Sequence, residues 1–253
     1  MSIPFEPVIG NLPINVHLIL EYLAFFVSFR YYRFLKKSYV DHISPSNRLS
    51  IILGAIVGAF IGSRFIGFLE QPSFHISTEW LSHIFQVKTI MGGLFGGLIG
   101  VEIAKKIIGE KASSGDLFTF PIIVGIFIGR IGCFLSGVNE FTYGSETTFF
   151  LGMDLGDGLL RHPTSLYELI FLFFLFFLFK FLTKKVNLTN GRIFQLFMLS
   201  YFGFRFGIEF IKPNTFFFLG FSSIQWLCLV CWLYYYRVLY LIMRYAGKRL
   251  HLL

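Results

Sequence analysis

Arg64, Arg130 and Arg205 stand inside long apolar runs of the chain. An ionisable residue there costs a few kcal/mol to bury, so each is a functional hypothesis by default. With a helical rise of about 1.5 Å per residue, all three lie roughly 8–9 Å from the same end of their apolar segments. Glu21, Glu168 and Glu209 fall in the same half of their segments, and Arg205 and Glu209 share a helix face at i, i+4. One reading is a set of internal salt bridges that hold the helices together. The sharper reading is an anionic ligand held by guanidinium groups. Arginine keeps its charge and presents a planar fork of donors that matches phosphate, so three at one depth suit a phospholipid headgroup. Glutamates beside them would orient the forks or accept hydroxyl hydrogens. Ser136, Asn139, Glu140, His162, Ser165 and Tyr167 extend the constellation along the same boundary.

The elements that must position these residues are read from composition. Of 253 residues, 55% are hydrophobic and 14% charged, and the mean hydropathy is +0.69. Such a balance belongs to a bilayer protein. The net charge of +8 would suggest nucleic acid in a soluble domain, but the basic residues lie between apolar runs and read as membrane anchoring; no nucleic acid is expected. The first apolar run ends in a basic cluster, Arg30, Arg33, Lys36 and Lys37, where a cleavable leader would begin with one, so it reads as a retained helix. Cys133, Cys228 and Cys231 are an odd number in apolar surroundings and imply no disulfide framework. Cys133 reads as a small core residue.

Segments of about 20 mostly apolar residues, enough to span a bilayer, occur near 14–35, 49–69, 88–107, 117–136, 164–183, 192–211 and 219–243. The expected fold is all-α: a polytopic membrane protein of about seven transmembrane helices, with residues 1–253 as a single integral membrane domain. Sixteen of the 22 basic residues flank alternate connections and the C-terminal end. The positive-inside rule then places the N-terminus outside and the C-terminus in the cytoplasm. Gly54, Gly58 and Gly62 in the second segment, and Gly92, Gly96 and Gly100 in the third, allow close helix approach. The Phe-rich fifth segment faces lipid. The longest non-cytoplasmic connection, about 137–163, is rich in turn formers and reads as an ordered capping loop. The ionisable groups gather in one half of the spans, which fits a cavity open to one leaflet better than a conducting path.

The string Gly129-Arg-Ile-Gly-Cys-Phe-Leu-Ser-Gly137, followed by Tyr143-Gly144, resembles the signature segment of the prolipoprotein diacylglyceryl transferases. Gly96-Gly-Leu-Ile-Gly100 is similar to that family's glycine-rich third region, Arg161-His-Pro-Thr-Ser-Leu-Tyr-Glu168 to its His-Pro motif, and Arg205-Phe-Gly-Ile-Glu209 to its late Arg-Phe motif. The resemblance implies transfer of the sn-1,2-diacylglyceryl group from phosphatidylglycerol to the lipobox cysteine thiol of preprolipoproteins, in a bacterial inner membrane, at the outer leaflet. It implies Arg130 and Arg205 as phosphate ligands, Glu209 as their orienter and His162 among the catalytic groups. Arg64, Glu168, Tyr167, Gly144, Glu140 and Glu21 would then bind substrate. No metal or diffusible cofactor is required.

The resemblance departs at the family's usual His, which is Phe95 here, at the signature asparagine, which is Cys133, and at the first-span tyrosine, which has no match around Leu18. The thiol base is then left among His162, Glu21 and Glu140. The alternative function is a phospholipid-binding or transport protein that keeps the arginines without the chemistry.

Overall fold

The computed structural model describes residues 3–10, 12–38, 43–70, 87–186, 190–213 and 219–241. The basic residues Arg244, Lys248 and Arg249 and the far end of the seventh expected segment lie outside them. A helix stands in each of the seven segments. They are α1 (Val16–Ser38), α2 (Pro45–Glu70), α3 (Ile90–Ile108), α4 (Asp116–Ser136), α5 (Thr164–Lys185), α6 (Arg192–Ile208) and α7 (Ser223–Tyr234). The fold is that of an all-α membrane protein. α2, α4 with its extension to Asn139, and α5 are long and apolar enough to cross a bilayer. α3 carries Glu102, Lys105 and Lys106 in its last two turns, and α1 carries Glu21, Arg30 and Arg33, charges that water or headgroups must reach.

Local chemistry sets the helix ends. Pro45 begins α2, where its missing N–H is no loss. The Thr89 hydroxyl accepts from Gly92 N at 3.0 Å to start α3, and Gly109 ends it in the left-handed conformation. A capping box of Ser222 and Gln225 starts α7, four residues later than the apolar run suggests. α6 was expected to reach residue 211, but its α-helical turns end at Ile208 and tighten to a 3-10 turn over Glu209–Ile211. Pro213 follows, a residue that cannot continue a helix and restricts the one before it.

The chain divides into two compact units. The first comprises Met1–Asp41, Ser113–Phe194 and Phe210–Pro213, and the second His42–Ala112, Gln195–Glu209 and Asn214–Leu253. In the first unit α4 packs against α1 and α5. Gly125 and Gly132, seven residues apart on α4, make the first of these contacts close. An added Cβ would strike the Ser28 hydroxyl at Gly125, and the ring and Cα of His17 at Gly132. α5 buries Thr164, Ser165, Glu168, Leu172, Leu175 and Phe179 along one face. It exposes Phe173, Phe174, Phe177 and Phe181, as suits a helix turned to lipid.

The connection from 137 to 163 is ordered. Gly137 turns the chain out of α4 at φ +54, where a side chain would also strike the Leu155 carbonyl. Two short strands, β3 (Met153–Asp154) and β4 (Leu160–Arg161), then pair antiparallel around the turn at Gly156-Asp157-Gly158. Near the N-terminus β1 (Val8–Ile9) pairs with β2 (Leu12–Pro13) in the same sense.

In the second unit α2 and α3 lie backbone to backbone. Side chains at Gly54, Gly58 and Gly62 would collide with the carbonyls of Gly100, Gly96 and Gly92 respectively. Their absence lets the two helices approach more closely than any other residues would permit. α7 packs on both.

Candidate active site

α4 brings Arg130 and Cys133 to one face, three residues apart, and its neighbours supply the partners. From α5, Glu168 places Oε1 2.7 Å from Arg130 Nε, with 1% and 7% of the two side-chain surfaces exposed. Arg130 Nη1 donates to Cys133 Sγ at 3.7 Å. From the first turn of α1, His17 Nε2 lies 3.6 Å from the same sulfur. The other ring nitrogen of His17, Nδ1, lies 3.0 Å from Glu140 Oε1, just beyond the Gly137–Asn139 turn. Glu140, His17, Cys133, Arg130 and Glu168 thus form an unbroken polar line through the first unit. A buried ion pair survives only with such hydrogen-bonded company.

The ordered connection packs beside this line. Gly144 N donates to the His162 carbonyl at 2.8 Å, and Ser145 N to the Ile211 carbonyl at 2.7 Å. No Cβ fits at Gly144, where it would lie 2.5 Å from His162 Cβ and 2.9 Å from the Ile211 carbonyl oxygen. His162 Nδ1 and the Tyr167 hydroxyl are 3.2 Å apart. Ser165 and Thr164 both donate to the Thr142 carbonyl, which fixes the start of α5 against the loop. In the hairpin, Asp157 accepts from Arg161 Nε at 2.6 Å. That guanidinium holds the Asp157 carboxyl below its ordinary value, and the Arg161 guanidinium also lies over the Tyr143 ring.

The second unit holds the other two arginines. Arg205 donates from Nη2 to Glu209 Oε1 at 2.8 Å, one helical turn along, and both are buried. Ser222, at the cap of α7, donates its hydroxyl to the second Glu209 oxygen at 3.3 Å. Gln225 Nε2 donates to the Phe206 carbonyl at 3.3 Å. Arg64 donates from Nη1 to the Val87 carbonyl at 2.8 Å and so ties the end of α2 to the chain just before α3. Phe95 packs against the rings of Phe202 and Tyr234.

Of the residues singled out in the sequence, the first unit joins Arg130 to Glu168 directly and brings Glu140 to the same line. His162, Tyr167 and Gly144 gather at the adjoining loop, and Glu21 is half-buried on α1, one turn beyond His17. His17 itself was missed. It is a single His at the start of an apolar run, and the thiol and carboxylate that it meets are 116 and 123 residues away in the chain. The available signal was that it stands beside Leu18, one of the three places where the resemblance fails.

A family model described as prolipoprotein diacylglyceryl transferase matches residues 5–242 of the chain. Among curated proteins, a phosphatidylglycerol–prolipoprotein diacylglyceryl transferase of Wolbachia sp. subsp. Brugia malayi (strain TRS) is 29% identical over 215 residues, which covers 79% of each protein. One from Nitratidesulfovibrio vulgaris (strain DP4) is 32% identical over 188 residues, 70% of this chain and 66% of its own length. One from Ehrlichia ruminantium (strain Welgevonden) is 31% identical over 200 residues, 74% of each.

Proposed function

The chain belongs to the prolipoprotein diacylglyceryl transferase family, and from that premise we propose that it moves the sn-1,2-diacylglyceryl group of phosphatidylglycerol to the lipobox cysteine thiol of preprolipoproteins. The observation that carries this reading is the buried Arg130–Glu168 pair at the end of α4. The carboxylate beside Nε fixes the orientation of a guanidinium whose planar fork of donors is of the kind that suits a phosphate.

In the proposed reaction the thiol, as thiolate, attacks the glyceryl carbon that bears the phosphate ester. The S–C bond forms, the C–O bond breaks, and glycerol phosphate leaves with the electron pair. Charge grows on the departing ester oxygen, and Arg130 is placed to stabilise it. Arg205, fixed by Glu209, is the second proposed phosphate ligand. Arg64 is assigned a supporting role at the headgroup. Glu21, Glu140, Tyr167, Gly144 and His162 would shape the entrance at the ordered loop, with His162 close to the reacting groups.

Seven spans with the N-terminus outside, in a bacterial inner membrane, would put this site at the outer leaflet, where lipobox segments emerge. The charge asymmetry of the connections supports that orientation. Phosphatidylglycerol and the preprolipoprotein are the proposed partners, and residues 1–253 are the proposed single membrane domain.

Purified protein in phosphatidylglycerol vesicles, given a lipobox peptide, should form a thioether-linked product that R130A does not form. Phosphatidylglycerol binding lost in R130A, with no product from either protein, would instead indicate a lipid-binding relative without the chemistry. Phe95, set among aromatic rings where the family's His is expected, is what makes that outcome worth resolving.

A further inference from the structure

The missing His at Phe95 leaves the thiol base among His162, Glu21 and Glu140, and the first unit offers a further candidate. His17 carries three properties of a general base. A carboxylate oxygen of Glu140 lies 3.0 Å from Nδ1 and orients the ring; in the tautomer with its proton on Nδ1, Nε2 would present its lone pair. Nε2 already faces a sulfur, Cys133 Sγ at 3.6 Å. That sulfur also lies 3.7 Å from Arg130 Nη1, the proposed phosphate ligand. A sulfur is therefore accommodated between an imidazole and a guanidinium, the two neighbours that an attacking thiol needs.

The surroundings admit one. His17 retains 15% of its side-chain surface and Glu140 39%. Beside Cys133, the α4 surface that His17 packs against is Gly132, which has no side chain. One turn before Cys133, a Cβ added at Gly129 would meet no described atom within 4 Å. His162, the rival imidazole, meets the Tyr167 phenol at Nδ1 instead of a carboxylate.

We propose that His17 is the base that takes the proton of the lipobox thiol, with Glu140 as its positioning residue, an assignment that rests on the transferase reading. His17 exchanges its contact with Cys133 for the incoming thiol, and the S–H proton passes to Nε2. The sulfur electron pair forms the bond to the glyceryl carbon, the C–O pair leaves on glycerol phosphate, and His17 then gives its proton to solvent.

The test uses the full chain in phosphatidylglycerol vesicles with a lipobox peptide. H17Q, which keeps polarity but accepts no proton, should slow thioether formation at least about 100-fold, with folding verified by thermal unfolding. H17G should recover part of the rate when imidazole is added, which a misfolded protein would not do. E140Q should lower kcat by a larger factor than it raises KM for phosphatidylglycerol, and E140D should restore part of the kcat loss. An H17Q rate within about threefold of wild type, well short of the loss a general base entails, overturns the assignment alone. So does a diacylglyceryl adduct found on Cys133 by intact mass, since the acceptor thiol would then be internal. A wild-type protein that makes no product overturns the assignment together with the transferase reading.

Discussion

Arg130 on α4 and Glu168 on α5 meet with Nε 2.7 Å from Oε1 at a place where the carboxylate is almost wholly enclosed. The pair joins two helices and aims one guanidinium, so its two halves should respond differently to substitution. E168Q leaves a buried guanidinium without its counter-charge, a loss of about 3–5 kcal/mol that thermal unfolding in detergent should register. R130K keeps the charge but loses the fork, and it should lower product formation by about tenfold or more while unfolding less readily than E168Q.

Glu209 is held on both oxygens, by Arg205 and by the Ser222 hydroxyl. E209Q should weaken the use of phosphatidylglycerol strongly. S222A removes one hydrogen bond to that carboxylate, worth about 1.5–3 kcal/mol, together with the cap of α7, and should impair lipid use less because Arg205 keeps its charged partner. Product yield against lipid concentration distinguishes the two.

G144A places a methyl group against the backbone of His162 and Ile211, neither of which is the end of a flexible side chain. Activity should fall well below that of wild type because the ordered loop shifts, while α4 and α5 remain paired. Hydrogen exchange at the Gly144 and Ser145 amides, both bonded across the loop, should speed up in the variant.

G96V at the centre of the α2–α3 contact should abolish folded protein, because the added carbons meet the Gly58 carbonyl and Gly62 Cα. G207A on α6, where a Cβ meets no described atom within 4 Å, should keep or raise thermal stability, since Ala exceeds Gly in a helix by about 0.5–1 kcal/mol.

The β3–β4 hairpin should loosen in acid. The Arg161 contact lowers the folded-state value of Asp157, so the stabilisation is present above the ordinary carboxylate range, about pH 4, and fades as pH falls below it. Hydrogen exchange at Leu159, whose amide donates to Asp157, should report the change, and D157N should remove its pH dependence.

The helices were legible because bilayer solvation imposes a long apolar period that short-range chemistry rarely disguises, and each apolar segment holds its helix. The Arg205–Glu209 pair was legible for a similar reason, since one helical turn brings i and i+4 together. Arg130–Glu168 was readable only as two ionisable residues in apolar segments, because nothing in the spacing says which helices touch. His17 was not legible at all: its partners are 116 and 123 residues away, and only the closeness permitted by Gly125 and Gly132 brings them to it. Arg64 was as conspicuous in the sequence as the other two arginines, but its half-buried side chain donates to the Val87 carbonyl just before α3, a partner that no spacing announces.

The glycine faces of α2 and α3 also limit how that pair can move. With backbone set into backbone at four-residue intervals, one helix can slide along the other only by a full notch, about 6 Å at 1.5 Å per residue. Smaller displacements would drive carbonyls into α-carbons. Any rearrangement that admits a lipid must therefore carry the two helices together as one stiff ratchet, with the adjustment taken up elsewhere.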